Sequence, residues 1–305
     1  MSPVAAVDVG TNSVRLLIMN DDGTRVLRRI VTTRLGHGVD RTGKLDDAAL
    51  ARTLTVLAQF RTDWINAGVT DTVRIIATSA VRDATDRDRF FAGVEQVTGH
   101  AAEVISGSEE AALAFYGAVN GVGLTDACVV VDIGGGSTEL VLGDANQQVV
   151  ASTSLQLGCV RITERNFTSD PVTAEQITAA KDDIARALGG AEAVFNAAKQ
   201  RGVSTLVGVA GTVTTMGALH RQLPDYDEDA IHGTHIPTAA LWLLADGLVA
   251  MSSAQRRALG PVQAGREDVL HAGALILKAV VDALGSDGVI VSERDSLDGV
   301  ATALQ

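Results

Sequence analysis

Two short strings place a carboxylate, small residues and a hydroxyl at one spacing: Asp8 to Ser13 in VDVGTNS and Asp132 to Ser137 in VDIGGGS. Each follows an apolar run that reads as a buried strand. The three glycines at 134–136 give a turn open to φ > 0, whose backbone N–H groups can close on the oxygens of an anion. Ser137 and Thr138 add hydroxyls, while Asp132 and Glu139 bracket the turn with carboxylates that would repel a bare phosphate. A divalent cation resolves that conflict, so the stretch reads as a metal and phosphate site. A tight hairpin stabilised by its glycines is the plain alternative.

The two strings are related by a constant shift of 124 positions (8 to 132, 10 to 134, 13 to 137). Each sits in the first strand, turn and strand of an α/β block, which implies two related domains, 1–124 and 125–305. If the domains face one another, the two turns converge on one cleft with Asp8 and Asp132 on opposite walls. A third glycine turn at 208–212 runs from a buried strand into a helix N-terminus, a favourable place for a phosphate.

The elements that would position these turns follow from periodicity. Strands are expected at 4–9, 14–19 and 25–34, then a helix capped by Asp46 and stopped by Gly68, with Leu50, Leu54, Leu57, Phe60 and Ile65 on its apolar face and Trp64 as core. A strand at 73–79, a helix ending at Gly99 and a strand at 102–105 follow. Ser106 and Glu109 have the spacing of a capping box that opens the next helix, which explains Glu109 but not Glu110.

In the second block, strands are expected at 127–132, 138–143 and 147–154, with 157–167 turning into a helix. Thr173 and Gln176 box the start of a helical region that reaches about residue 200 and is loosened at Gly189 and Gly190. A strand at 203–209, helices at 238–251 and 266–284, a strand at 288–292 and a helix from Asp295 close the chain. Alternating strands and helices mark an α/β protein. Residues 38–44 match a Walker A spacing, but Leu45 stands where that loop needs Ser or Thr and no strand precedes it, so the match reads as chance.

Composition narrows the chemistry. With 46% hydrophobic residues the chain has ample core, and a net charge of −12 argues against a broad nucleic-acid or anionic-membrane surface. No apolar run is long enough to span a membrane and no basic leader begins the chain, which places the protein in the cytoplasm. Cys128 and Cys159 read as reduced core thiols, and His232 and His235 as loop residues without zinc-helix spacing.

The three glycine turns resemble the phosphate and adenosine motifs of the actin-like, sugar kinase and Hsp70 superfamily. The strings DVGTNSVRLLI, IIATSAVRDATDRDRF, EVISGSEEA, VVDIGGGSTELVLG, GVAGTVTTM and VSERDSLDGV, in this order over nearly the whole chain, narrow the resemblance to the exopolyphosphatase and guanosine pentaphosphate phosphohydrolase family. The fold implied is α/β, with two RNase H-like domains of mixed sheets flanked by helices and an active site in the interdomain cleft. The activity implied is release of terminal phosphate from inorganic polyphosphate, or from guanosine pentaphosphate, by a cytoplasmic homodimer. A sensor without catalysis and an ATP-dependent kinase are the alternatives from other classes. Thr11 stands where the family has serine, and the chain ends without the further C-terminal helical domains of longer members, which leaves processivity on long polymers in doubt.

The resemblance assigns Glu110 as the base that deprotonates water. Arg82, able to donate two parallel hydrogen bonds, reads as the best local cation for phosphoryl charge. Gly10, Thr11, Asn12 and Ser13 in the first turn, Gly134, Gly135, Gly136 and Ser137 in the second, and Gly211 and Thr212 in the third would hold phosphate oxygens. Arg15 is a further candidate, although strand alternation could turn it to solvent. Asp132 and Glu139 would hold Mg²⁺ or another divalent cation, which takes carboxylate and water ligands beside phosphate oxygens. Arg294 and Asp295 match the family's closing motif and read as structural.

Overall fold

Strand alternation lays down the same sheet twice. In the computed structural model, which describes residues 3–305, β1 (Val4–Val9), β2 (Ser13–Met19) and β3 (Arg25–Thr32) form an antiparallel meander. β1 is buried along its length, as a central strand of mainly Val and Ala must be; β3 carries Arg25, Arg28 and Arg29 and forms a charged edge that discourages pairing with another chain. After α1 (Val39–Thr42), α2 (Asp47–Asn66) starts at Asp46, whose Oδ1 accepts from the Ala49 N–H at 2.9 Å. Its buried face holds Leu50, Leu57, Phe60 and Trp64, whereas Ile65 is 51% exposed. On a helix of 3.6 residues per turn Trp64 lies about 20° from Leu57 and Ile65 about 80°, so the expected place of Ile65 is corrected.

β4 (Val73–Ala77) pairs parallel with β1, and α3 (Ser79–Asp83) and α4 (Asp88–Thr98) lead to β5 (Ala102–Val104), parallel to β4. The order of the first sheet is β3-β2-β1-β4-β5. α5 (Gly107–Val122) then leads into the second block.

There β6 (Cys128–Ile133), β7 (Thr138–Gly143) and β8 (Val149–Leu155) repeat the meander. α6 (Cys159–Asn166), α7 (Ala174–Leu188), a 3₁₀ turn at Gly189–Ala191 and α8 (Glu192–Gln200) follow. The Thr173 capping box is formed in both directions, as its sequence predicts. β9 (Leu206–Val209) pairs parallel with β6 and feeds α9 (Ala210–His220). Then come α10 (Glu228–Ile231), β10 (His235–Pro237), α11 (Thr238–Ala250), α12 (Ser253–Arg257), α13 (Leu270–Leu284), β11 (Gly288–Val291) and α14 (Ser296–Ala303). The order of this sheet is β10-β11-β9-β6-β7-β8. With β10 set aside, it is the first sheet strand for strand, the RNase H-like topology in duplicate.

The chain divides into two compact units, residues up to Leu113 with Ser296–Gln305, and Ala114–Asp295. The division therefore falls inside α5 and not at 124, and α14 belongs to the first unit. The reason is packing. α14 buries Leu297, Val300 and Ala301 with Val4, Ala6, Leu17 and Met19 on the face of the first sheet that α2 and α4 leave uncovered. Two polar contacts fix it there: Arg15 Nη2 donates to Ser296 Oγ at 3.0 Å, and Arg28 Nη1 pairs with Asp298 at 2.8 Å. Residues 114–122 do the corresponding job in the second unit, where the Phe115 ring lies in the space left by the missing side chain of Gly143.

Cys128 and Cys159 are buried and free, with thiols that burial pushes up to about 11. His232 Nδ1 accepts from the Glu293 N–H and its Nε2 meets Gly121 O, while His235 lies in β10 and not in a loop. Among the described residues no helix is long and apolar enough to cross a membrane.

The closing motif packs closely against α5. A Cβ on Gly117 would stand 2.0 Å from Asp295 O, and one on Gly121 would stand 2.4 Å from the Arg294 stem. Backbone cannot yield as a flexible side chain does, so Gly117→Ala lowers stability by about 1–3 kcal/mol, measured by urea unfolding. Wild-type stability in that variant would show that the contact does not constrain the helix.

Candidate active site

At the tip of the β6–β7 hairpin, Gly134 N donates to Ser137 O at 3.0 Å and closes the turn. The carbonyls that follow are all spoken for. Cys159 N donates to Gly134 O at 3.0 Å, Val160 N and Arg161 N to Gly135 O at 2.9 and 3.2 Å, and Arg161 Nε to Gly136 O at 2.9 Å. In a planar trans peptide the N–H points opposite to the C=O, so anchoring these carbonyls on the start of α6 aims the N–H groups of Gly135, Gly136 and Ser137 the other way. That is an amide nest, held open by hydrogen bonds behind it. Gly158 permits the approach, since a Cβ there would lie 2.2 Å from Gly135 O.

The first unit repeats the device. Gly10 N donates to Ser13 O at 3.0 Å, the same closure. Gly36 N donates to Thr11 O at 2.8 Å, and Thr33 N and Arg34 N donate to Asn12 O at 3.1 and 2.9 Å, so the N–H groups of Asn12 and Ser13 face away from that loop. The Thr11 hydroxyl is 2.8 Å from Ser79 Oγ, which ties the turn to the first residue of α3.

Three residues along α3 is Arg82. Its Nη1 donates to Ile105 O at 3.0 Å and to Glu110 Oε2 at 3.2 Å, bringing together the expected base and the expected cation for phosphoryl charge. Both side chains are mostly buried, and Arg82 is not a free surface cation. Glu110 occupies the first turn of α5, its N–H bonded to Ser106 O at 2.9 Å. Its neighbour Glu109 points elsewhere: its N–H takes the Ser106 Oγ cap at 3.1 Å and its carboxylate pairs with Arg74 at 2.7 Å. The capping box is therefore made on its serine side, and the glutamate is occupied by an exposed ion pair.

Asp132 and Glu139 are direct partners in the β6–β7 register, so their side chains emerge on one face, 6% and 1% exposed. Ser154 Oγ donates to Glu139 Oε1 at 2.7 Å. Among the described residues no group of three or more His, Cys, Asp and Glu is placed to hold a metal. Two carboxylates side by side suit a hard cation such as Mg²⁺, which takes its remaining ligands from water and phosphate, and do not suit a closed zinc site.

Arg15 is not turned to solvent. Its Nε donates to Asp8 Oδ2 at 3.1 Å and its Nη2 to the same oxygen and to Ser296 Oγ. At the third turn, Ala210 takes φ +65° and Gly211 lies beneath the Arg266 guanidinium, so close that a Cβ would coincide with Nη1. Thr212 is 5% exposed and packs against Gly273 of α13, which makes its side chain part of the packing.

Sequence reasoning missed Arg161 and Arg266. For Arg161 a signal existed: extending the 124-residue shift maps the loop 33–36, which anchors the first turn, onto 157–160 beside Arg161. Arg266 lies 55 positions beyond Gly211 with no shared motif, so nothing local marks it.

Because Gly158 holds the nest from behind, Gly158→Ala is expected to lower kcat/KM for a phosphate substrate by about 10- to 100-fold, the equivalent of a 1–3 kcal/mol overpacking strain. Circular dichroism should stay native, and unchanged kinetics would mean that the nest is not pinned there.

Residues 17–304 match the model of the Ppx/GppA phosphatase family. Exopolyphosphatase 2 of Mycobacterium tuberculosis is 43% identical over 324 residues, covering 100% of this chain and 99% of that protein. A guanosine-5'-triphosphate,3'-diphosphate pyrophosphatase of Photobacterium profundum is 34% identical over 71% of this chain and 43% of its own length. A crystal structure described as an exopolyphosphatase-like protein superposes with a TM-score of 0.91 at 36% identity, covering 98% of both chains. With its duplicated sheet and its anchored turns, the chain belongs to the Ppx/GppA phosphatase family.

Proposed function

We propose that this protein is an exopolyphosphatase, a hydrolase that releases terminal phosphate from inorganic polyphosphate. The observation that carries the reading is the presence of two amide nests in one chain, at Asn12–Ser13 and Gly135–Ser137, each with its carbonyls anchored behind it. A substrate made only of linked phosphates suits repeated nests, because every unit offers the same oxygens. The full-length kinship to a mycobacterial exopolyphosphatase favours the same substrate. Guanosine pentaphosphate is the second reading, favoured by the kinship to a guanosine pentaphosphate hydrolase over 71% of the chain.

In this reading Glu110 accepts a proton from the water that attacks the terminal phosphorus, and the P–O bond to the next phosphate breaks. Arg82 holds the Glu110 carboxylate and offers charge to the phosphoryl oxygens. The N–H groups of Asn12, Ser13, Gly135, Gly136 and Ser137 bind phosphate oxygens without requiring a basic surface, which suits a chain of net charge −12. Mg²⁺ held by Asp132 and Glu139 would neutralise phosphate oxygens that two carboxylates alone would repel. The proposal extends to a cytoplasmic homodimer, for which light scattering should give twice the chain mass.

Phosphate release from polyphosphate should fall by about 10²- to 10⁴-fold in Glu110→Gln with little change in KM. Turnover equal to wild type in that variant would remove Glu110 as the base. Side-by-side kcat/KM values for polyphosphate, guanosine pentaphosphate and ATP decide the substrate, and transfer of phosphate from ATP to an acceptor would replace the hydrolase reading with a kinase. EDTA should abolish activity and Mg²⁺ restore it, with Asp132→Asn and Glu139→Gln both raising the half-saturating Mg²⁺ concentration. Full activity in EDTA would exclude the metal.

A further inference from the structure

A sheet edge is a row of backbone donors and acceptors without partners, and folded chains close such rows with charge, proline or shortness. Three of the four edges here are closed in that way. β3 presents the exposed Arg25 and Arg29, β5 and β10 are three residues long each, and β10 ends on Pro237. The fourth edge, β8, has none of these devices. It runs for seven residues, Val149–Leu155, and no charged residue lies between Asp144 and Arg161. The duplication shows what is missing. β3 and β8 are the same strand at the 124-residue shift, down to the register break after Ile18 and after Leu142, yet Val149 and Thr153 stand where the first copy has Arg25 and Arg29. β8 carries β7 on one side only, and among the described residues the backbone of Val149–Ser154 makes no further hydrogen bond. The 3₁₀ turn at Gly189–Ala191 meets a side chain of the strand, Thr153 Oγ1 donating to Gly190 O at 3.4 Å, and takes none of its backbone groups.

We propose that β8 is the surface through which two copies of this chain join, pairing antiparallel about a two-fold axis at Ser152 so that their sheets become one. The inference rests on the homodimer reading above and gives it a location. The fitting occupant is a second copy because the strand is its own complement. Self-pairing centred on Ser152 sets Val149 opposite Leu155 and Ala151 opposite Thr153, so no like charges meet across the axis. Such a pair uses up both free edges and closes as a dimer, whereas a head-to-tail contact would extend into a filament.

Light scattering of the full chain over a range of concentrations reads the mass, and Ser152→Cys reads the geometry. Residues facing each other across an antiparallel pair have Cα atoms about 4.5–5.5 Å apart, within reach of a disulfide. Ser152→Cys should therefore cross-link two chains on mild oxidation. Wild type, whose Cys128 and Cys159 are buried, and Val26→Cys on the exposed part of β3 should not. Ser152 is exposed, so Ser152→Lys and Ser152→Glu should each fold, run as monomers and form a dimer when mixed, a result that misfolding would not give. Wild type at the single-chain mass at every concentration would overturn the homodimer reading and this inference together. A wild-type dimer that persists in Ser152→Lys, or that cross-links through Val26→Cys and not through Ser152→Cys, would overturn the inference and leave the homodimer standing. Failure of the mixed variants to pair, together with no cross-link in Ser152→Cys, would overturn it in the same way.

Discussion

A peptide unit cannot point its carbonyl and its N–H in the same direction, and the site depends on that constraint. α6 begins directly behind the glycine turn and takes the carbonyls of Gly134, Gly135 and Gly136 with three backbone N–H groups and the Arg161 side chain. Once those bonds form, the orientation of the next three amides is no longer free. The order built into the turn is therefore supplied during folding, and binding an anion need not freeze a mobile loop. The first unit reaches the same result with the loop after β3, through Gly36, Thr33 and Arg34.

Duplication explains why the two solutions are so alike, and divergence explains the division of labour. The meanders coincide at a single shift along their whole length, including the closing bond from Gly10 to Ser13 and from Gly134 to Ser137. Away from the meander the copies part. The first has α3 with Arg82 after its fourth strand, and the second has α9, whose start lies under Arg266. The helices after the fifth strands also exchange allegiance, α14 packing on the first sheet and residues 114–122 with the second unit. Each unit thus takes in a segment that the sequence places at the end of the other block.

That exchange marks the limit of what the sequence makes legible. Strand alternation, the Asp46 cap, the Thr173 box and the repeated V-D-x-G-x-x-S string are local, and each is found where its pattern places it. The separation of Glu109 from Glu110 is local too, because the cap serine specifies which glutamate faces outward. The domain boundary is not local: α5 has one continuous helical pattern, and only the packing of α14 against Val4, Ala6, Leu17 and Met19 divides it. Arg266 over Gly211 is likewise a contact between distant segments with no pattern in either. Short elements such as α1, α10 and β10 escape because three or four residues cannot display a period.

The separation of binding from proton transfer follows from what a nest can and cannot do. Its donors are neutral and fixed, so it binds phosphate oxygens but accepts no proton from water. The base has to come from a side chain held rigidly outside the turn, and the first turn of a helix is such a place: backbone N–H groups and the helix dipole there favour a carboxylate. Glu110 is held at two points, its backbone by Ser106 O and its carboxylate by Arg82, which is itself fixed on Ile105 O. Arg82 follows Ser79, and Ser79 holds Thr11 of the first turn. Two hydrogen bonds joined by one turn of α3 therefore link, within one unit, the group that would take the proton to a turn that would hold a phosphate. Phosphoryl transfer, in which little covalent work falls to the protein, gains most from that kind of fixed spacing.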